Sequence, residues 1–440
     1  MASEQTGAPT GAIGNDRSST PASVVNAAST PRAKPLRPRW ALALAAMAAL
    51  AVAMGIGRFA FTPLLPMMLA DGTVDLPTAS WLASSNYIGY LIGALICTFQ
   101  PWIAARLRWL PALSLTAMSR GGLAATCLFT LGMGFHLPAL WPLLRFAAGV
   151  ASAVVFVYAS AWCITQLSRR NATALAGLMF TGPGAGIAVS GLLASGMVAW
   201  GWTAATGWFL FGALAVVLTA AAWPVFSEDG APVPAAASAA RPAAPGASHR
   251  AEMALLAVAY GLAGFGYIVT ATFLPVIARG AMPGSVWLDL FWPIFGGGVV
   301  IGALCATRLP TTGDLRWLLC GAYVLQALGI AASVFRPDAL GFAVGSLVLG
   351  LPFTAITFFA LQESRRLAPA HAASFMGLLT VLYGLGQIVG PPMVALLLRH
   401  SATPVEGFRL SLEIAAAALV AGAAMYVGMI RAFPIRKPQR

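Results

Sequence analysis

The sequence predicts an all-α integral membrane protein with twelve transmembrane helices in two six-helix bundles related by pseudo-symmetry. Three observations carry that expectation: charge is scarce, long apolar runs recur along the chain, and the two halves repeat short motifs in the same order. Of 440 residues, 59% are hydrophobic and 9% are charged, where a soluble domain carries about 25% charged residues. The net charge of +13 does not read as a nucleic-acid footprint, because the basic residues punctuate apolar runs and do not gather on one soluble element.

A helix needs about 20 predominantly apolar residues to cross the hydrocarbon core of a bilayer. The stretches that qualify are 40–69, 78–104, 109–133, 139–167, 173–199, 203–225, 251–278, 285–307, 315–335, 339–361, 372–398 and 408–431. Residues 1–39, rich in Ala, Ser, Thr, Pro and Gly with no apolar run, read as a disordered cytoplasmic tail. The apolar stretch that follows is too long for a signal-peptide core. Residues 226–250, again Pro, Ala, Ser and Gly without periodicity, read as a cytoplasmic linker between a first bundle, 40–225, and a second, 251–431, with a short cytoplasmic tail at 432–440. With the N-terminus inside, the outer loops hold only Arg279, Arg336, Arg399 and Arg409 of the Lys and Arg complement, while the inner segments hold most of the rest. Cationic loops resist translocation, so both termini are expected on the cytoplasmic side.

The repeat supports the same division. Residues 55–66, GIGRFAFTPLLP, and 264–275, GFGYIVTATFLP, align Gly55, Gly57 and Pro66 with Gly264, Gly266 and Pro275. IGAL recurs at 92–95 and 301–304, LRWL at 107–110 and 315–318, and QLSRR at 166–170 answers QESRR at 362–366. A parallel repeat of six helices puts a solute site near the membrane midplane, between the halves.

At these residues the chain resembles the major facilitator superfamily over roughly 40–431, and GIGRFAFTPLLPMM with SNYIGYLIGAL look like the YbfB/YjiJ-type permeases of bacteria. The loop after the second span keeps Arg106 and Arg108 of that superfamily's basic motif but lacks its Asp. Arg145 and Gly149 match its R-x3-G motif, and Gly182, Pro183 and Gly186 approximate its fifth-span Gly-Pro element, with Ile187 where the family has a final Gly. The eleventh span carries GLGQIVGPP, with Gly386, Gly390, Pro391 and Pro392. The resemblance implies a multi-pass carrier of the bacterial inner membrane, working by rocker-switch alternating access, with no cofactor and no catalytic residue. It also implies a role for Arg145 in proton coupling or solute binding.

A charge inside the bilayer costs at least about 2.5–3.5 kcal/mol on insertion scales, so each one needs a reason. Arg58, between Gly57 and Phe59, reads either as a cavity-facing cation for an anionic solute or as a side chain snorkelling to the outer interface. Arg145 reads as a functional cation or an interfacial anchor near Trp141, and Arg120, among the small neighbours Ser119, Gly121 and Gly122, as a packing or a polar contact. Asp289 is the better candidate for a proton carrier, ahead of Glu413. Asn86, Tyr87 and Tyr90 form a polar stripe on the second span, Tyr267 takes the place of Arg58 in the second half, and Gln326, Gln362, Tyr383 and Gln387 follow it. Such groups serve either solute or interhelical hydrogen bonding. The Gly and Pro clusters at Gly182, Pro183, Gly186, Gly390 and Pro391 suit helix bending and close packing alike. The five cysteines lie in apolar runs without CxxC spacing, and the four histidines fall in loops or at span ends without clustering, so no metal site is expected.

An integral membrane enzyme would need clustered His, Asp or Glu beside the spans, which the chain lacks. A receptor or assembly factor is the remaining competitor to a solute carrier. Intramembrane Arg with few carboxylates favours an anionic or neutral polar solute, its movement coupled to protons by symport or antiport, in a monomer embedded in lipid; a proton-coupled drug or metabolite efflux antiporter is the alternative.

Overall fold

The computed structural model describes residues 37–106, 114–226, 247–285, 287–309, 313–369 and 372–435. The expectations for the tail up to residue 36, for the loop at 107–113, for 227–246 of the linker and for the tail from 436 lie outside the described residues. Every regular element among the described residues is a helix. They are α1 (Arg39–Ala70), α2 (Leu76–Arg106), α3 (Leu115–Gly132), α4 (Trp141–Ser168), α5 (Ala176–Ala199), α6 (Ala204–Ala222), α7 (Ala247–Ala281), α8 (Leu288–Ala306), α9 (Leu315–Phe335), α10 (Ala339–Leu367), α11 (Ala372–His400) and α12 (Pro404–Ala432). Among the described residues, eleven helices are long and apolar enough to cross a membrane; α3, which carries Arg120, is not among them.

Helix starts follow the polar punctuation. Ser114, Thr203, Asp338 and Thr403 precede α3, α6, α10 and α12, and their side-chain oxygens accept the N–H of Ala117, Thr206, Gly341 and Glu406. Each such cap satisfies one of the donors a helix leaves free at its first turn. Several boundaries differ from the sequence expectation: α3 begins at Leu115 and not at 109, and α12 at Pro404 and not at 408. α7 begins at Ala247, so the end of the expected linker is helical. α10 continues past residue 361 to Leu367, because Glu363 and Arg366 pair one turn apart and sustain the helix beyond its apolar run.

α1 is not a uniform rod. Ala51–Arg58 is π-helical, between α-helical Arg39–Leu50 and Phe61–Ala70. Phe59 N–H reaches back to the Met54 carbonyl, Thr62 N–H bonds Phe59, and Pro63 has no N–H to give. The widened turn therefore leaves the Gly57 and Arg58 carbonyls for other partners.

Two close approaches set the packing. A Cβ on Gly149 would strike the Asn86 carbonyl and the Tyr90 amide, so the glycine lets α4 lie directly on α2. Gly55 and Gly186 face each other in the same way, joining the π-helical part of α1 to α5. α2 packs on α4 and α11, α5 on α8, α7 on α11 and α12, and α9 on α10 and α12. The first segment of α1, Arg39–Leu50, rests on α4, α5 and α6, whereas Phe61–Ala70 rests on α7. We call the end where α1 begins the near end; Arg170, just beyond α4, donates there to the Arg37 carbonyl, and Arg316 at the start of α9 donates to Phe433 beyond α12.

Candidate functional site

The π-helical turn of α1 ends on Arg58, whose residue is 2% exposed. Its Nη2 donates to Oε1 of Gln387 on α11, and Gln387 Nε2 donates to the Tyr267 hydroxyl on α7. Arginine, carboxamide and phenol thus form one chain across α1, α11 and α7. The guanidinium lies 4.1 Å from the ring centroid of Tyr90, 5.2 Å from that of Tyr87 and 5.3 Å from that of Phe59. Cation–π contacts of this kind are worth about 0.5–2 kcal/mol each, more when desolvated. Tyr267 and Tyr383 stack at 5.8 Å, Tyr383 and Tyr260 at 4.7 Å, and Phe353 stands edge-on to Tyr267 at 4.9 Å.

Arg145 supports this turn from behind. Nη1 and Nη2 donate to the carbonyls of Gly57 and Arg58 at 3.3 and 3.2 Å, the same carbonyls that the π-turn and Pro63 leave free. Its own carbonyl accepts Nδ2 of Asn86 at 2.9 Å, and its guanidinium lies 4.8 Å from the Phe61 centroid. Ser152 on α4 adds a 2.7 Å bond to the Ala53 carbonyl. No ion pair among the described residues involves Arg58 or Arg145. Nε of both arginines and Oδ1 of Asn86 are buried without a hydrogen-bond partner. Two buried cations with no carboxylate are costly, since an unpaired buried ion carries an effective penalty of several kcal/mol.

The site is bridged by hydrogen bonds on one side and less buried on the other. Toward the far end, Thr62 Oγ1 donates to the Ala271 carbonyl at 2.7 Å, and the Tyr87 and Thr272 hydroxyls are 2.9 Å apart. Toward the near end, Tyr90 and Tyr383 are only half-buried.

The structure therefore gathers Arg58, Asn86, Tyr87, Tyr90, Arg145, Tyr267, Tyr383 and Gln387 into one region. The other candidates lie apart. Asp289 pairs with Arg279, a pair about one-quarter exposed at the far end of α7 and α8, roughly 18 Å along α7 from Tyr267 at 1.5 Å per residue. Glu413 is exposed and pairs with Arg409. Arg120 donates to the Trp223 carbonyl and faces its ring. Gln326 is buried in α9 with an unpaired Oε1, and Gln362 is half-buried. Gly182 approaches the Met47 carbonyl, and Gly390 approaches Ile268. α5 is interrupted just before Gly182–Pro183, while α11 runs unbroken through Pro391 and Pro392.

Sequence reasoning missed Phe59, Thr62, Thr272, Phe353 and Tyr260, which read as ordinary apolar or small residues of a span. It also missed a near-end charge cluster. Arg316, fully buried, pairs with Glu252 at 2.8 Å and Asp314 at 2.7 Å, and Arg366 pairs with Glu252 at 2.7 Å and Glu363 at 2.6 Å. Arg316 and Arg366 both stand in the repeated LRWL and QESRR motifs, which was the available signal. Burial by itself pushes the Asp314 carboxyl up, but hydrogen bonds from the Arg316 side chain and amide, with its charge, hold it below the usual carboxylate range.

The family-model match over residues 50–427 makes this helical chain, with its cationic, aromatic-lined centre, a transporter of the major facilitator type. A solved structure of a variant of the nucleoside transporter NupG matches with a TM-score of 0.66 at 16% identity, covering 89% of this chain and 99% of that one. NupG itself matches with a TM-score of 0.64 at 15% identity, covering 90% and 100%. At these identities the likeness is one of fold. The chain belongs to the family described as uncharacterised MFS-type transporter YbfB, whose model matches residues 50–427. A search of curated proteins found no match.

Proposed function

We propose that this transporter is a secondary active carrier of a small anionic or neutral polar solute, with α3 as its twelfth membrane helix and both termini in the cytoplasm. Its two six-helix halves rock about the Arg58 site and carry the solute with coupled movement of protons. One observation supports this most: Arg58 is a buried cation without a carboxylate among the described residues, bonded to Gln387 of α11, which in turn bonds Tyr267 of α7 in the same half. That favours an anion over a neutral solute, because a bound carboxylate removes the cost of the unpaired charge, whereas a neutral guest leaves it.

Alternating access is supported by the closed far end, the half-buried tyrosines toward the near end, and the resting of Phe61–Ala70 on α7. By the charge census the near end is cytoplasmic, so this conformation is inward-facing. Gly182, Pro183 and Gly186 in α5 and Gly390 and Pro391 in α11 are the proposed points of bending and close sliding. Arg145 is proposed to hold the π-turn that presents Arg58. For the coupling proton the proposal uses Asp289, because protonation releases Arg279 and unties α7 from α8 at the far end.

Uptake of a radiolabelled panel of carboxylates, sugars and nucleosides into right-side-out vesicles, with and without a pH gradient, tests the reading. Carboxylate uptake driven by the gradient and lost in Arg58→Ala is the expected result. If no panel carboxylate moves, or Arg58→Ala transports normally, the anion reading is wrong.

A further inference from the structure

The buried groups around Arg58 select more than charge. Arg145 spends both terminal nitrogens on backbone carbonyls, so Arg58 supplies the one guanidinium whose partner is a replaceable side chain. That partner, the Gln387 carboxamide oxygen, sits where one oxygen of a carboxylate would sit, and the buried Arg58 Nε has no acceptor at all. A guanidinium fork recognises a carboxylate through two parallel N–H donors, and here one donor is lent to an amide and another is empty. Only one such fork is present, which suits a single carboxylate group.

What surrounds the fork is ring surface. Tyr87, Tyr90 and Phe59 face the guanidinium, and the Tyr267–Tyr383–Tyr260 stack continues from it toward the near end. Tyr90 and Tyr383, the two half-buried members, stand on the near-end side of the site. Aliphatic side chains would line a path for an acyl chain equally well; stacked tyrosines add a preference for a flat partner.

Resting on the carrier reading above, we propose that this site takes an aromatic monocarboxylate, its carboxylate displacing the Gln387 oxygen from Arg58 and its ring meeting the edges of Tyr90 and Tyr383, whose faces are already covered by Arg58 and by the tyrosine stack.

The test is equilibrium binding to the purified full-length chain in detergent, using benzoate, cyclohexanecarboxylate and benzamide as probes. Aromatic pairing is worth about 0.5–1.5 kcal/mol per ring contact, so two contacts predict benzoate binding roughly tenfold tighter than cyclohexanecarboxylate. Benzamide, without the charge, is expected to bind at least about tenfold more weakly than benzoate. Tyr383→Leu should shrink the benzoate advantage to about threefold, and Tyr383→Phe, which keeps the ring and the fold, should preserve it. Equal affinity for the two carboxylates overturns the aromatic assignment and leaves the anion carrier standing. Failure of both carboxylates to bind overturns the two together, and benzamide binding as tightly as benzoate overturns the role of the charge.

Discussion

Arg58 and Tyr267 occupy equivalent positions in the two halves of the repeat, and both bond to the carboxamide of Gln387. One turn further along the same register, Thr62 donates to Ala271, again an aligned pair. Equivalent faces of α1 and α7 therefore meet, and one half contributes a cation where the other contributes a phenol. A site so built is symmetric in position and asymmetric in chemistry.

The fit of α4 on α2 depends on Gly149. A side chain there meets backbone atoms of Asn86 and Tyr90, which cannot step aside as a flexible side chain would. Gly149→Val is expected to destabilise the protein by about 1–3 kcal/mol, as overpacking does, and to weaken solute binding because α2 carries Asn86, Tyr87 and Tyr90. Thermal unfolding in detergent alongside a binding isotherm reads both effects.

Replacing Arg145 by lysine keeps the charge and loses the fork. A single ammonium cannot hold the Gly57 and Arg58 carbonyls as the planar guanidinium does. Loss of one such charged hydrogen bond predicts a destabilisation of about 1.5–3 kcal/mol, seen as a lower unfolding midpoint. Solute affinity should fall with it, because the π-turn that aims Arg58 is no longer pinned.

Asp289→Asn tests the proton. The substitution removes the charge that binds Arg279 while keeping nearly the same shape. Counterflow exchange in proteoliposomes should persist, and accumulation driven by a pH gradient should disappear. Gradient-driven accumulation at the wild-type level would move the proton site elsewhere.

Asp314 gives a pH signature. Its folded-state carboxyl is held low by Arg316, so its stabilisation is present above the unfolded value of about 3.9 and is lost as pH falls through the folded value. The unfolding midpoint of Asp314→Asn should lie below that of wild type by a constant margin near neutral pH. The margin should close only below about pH 4. A margin that is already closed near pH 6 would mean that another group dominates.

The helices were largely legible because lipid imposes a strict rule: long apolar runs with paired backbones. Arg58, Tyr87 and Tyr90 stood out for the same reason, as polar groups where lipid tolerates few. The π-turn did not, since it arises from where Pro63 withholds a donor and Arg145 supplies two, a match between positions far apart in the chain. Phe59 and Phe353 were invisible because an aromatic facing a cation and one facing lipid look alike in sequence. Glu252 and Glu363 lay at span edges, and only the folded chain brings them to Arg316 and Arg366.

Gln387→Glu tests the central claim most directly. The new carboxylate falls on Oε1's present position and pairs with Arg58, giving the buried cation an internal partner. Measured on the purified protein, the account predicts a raised unfolding midpoint together with loss of carboxylate binding by at least about tenfold, since the anion's place is taken. Unchanged carboxylate binding in Gln387→Glu would contradict it, because the solute would then not be meeting Arg58.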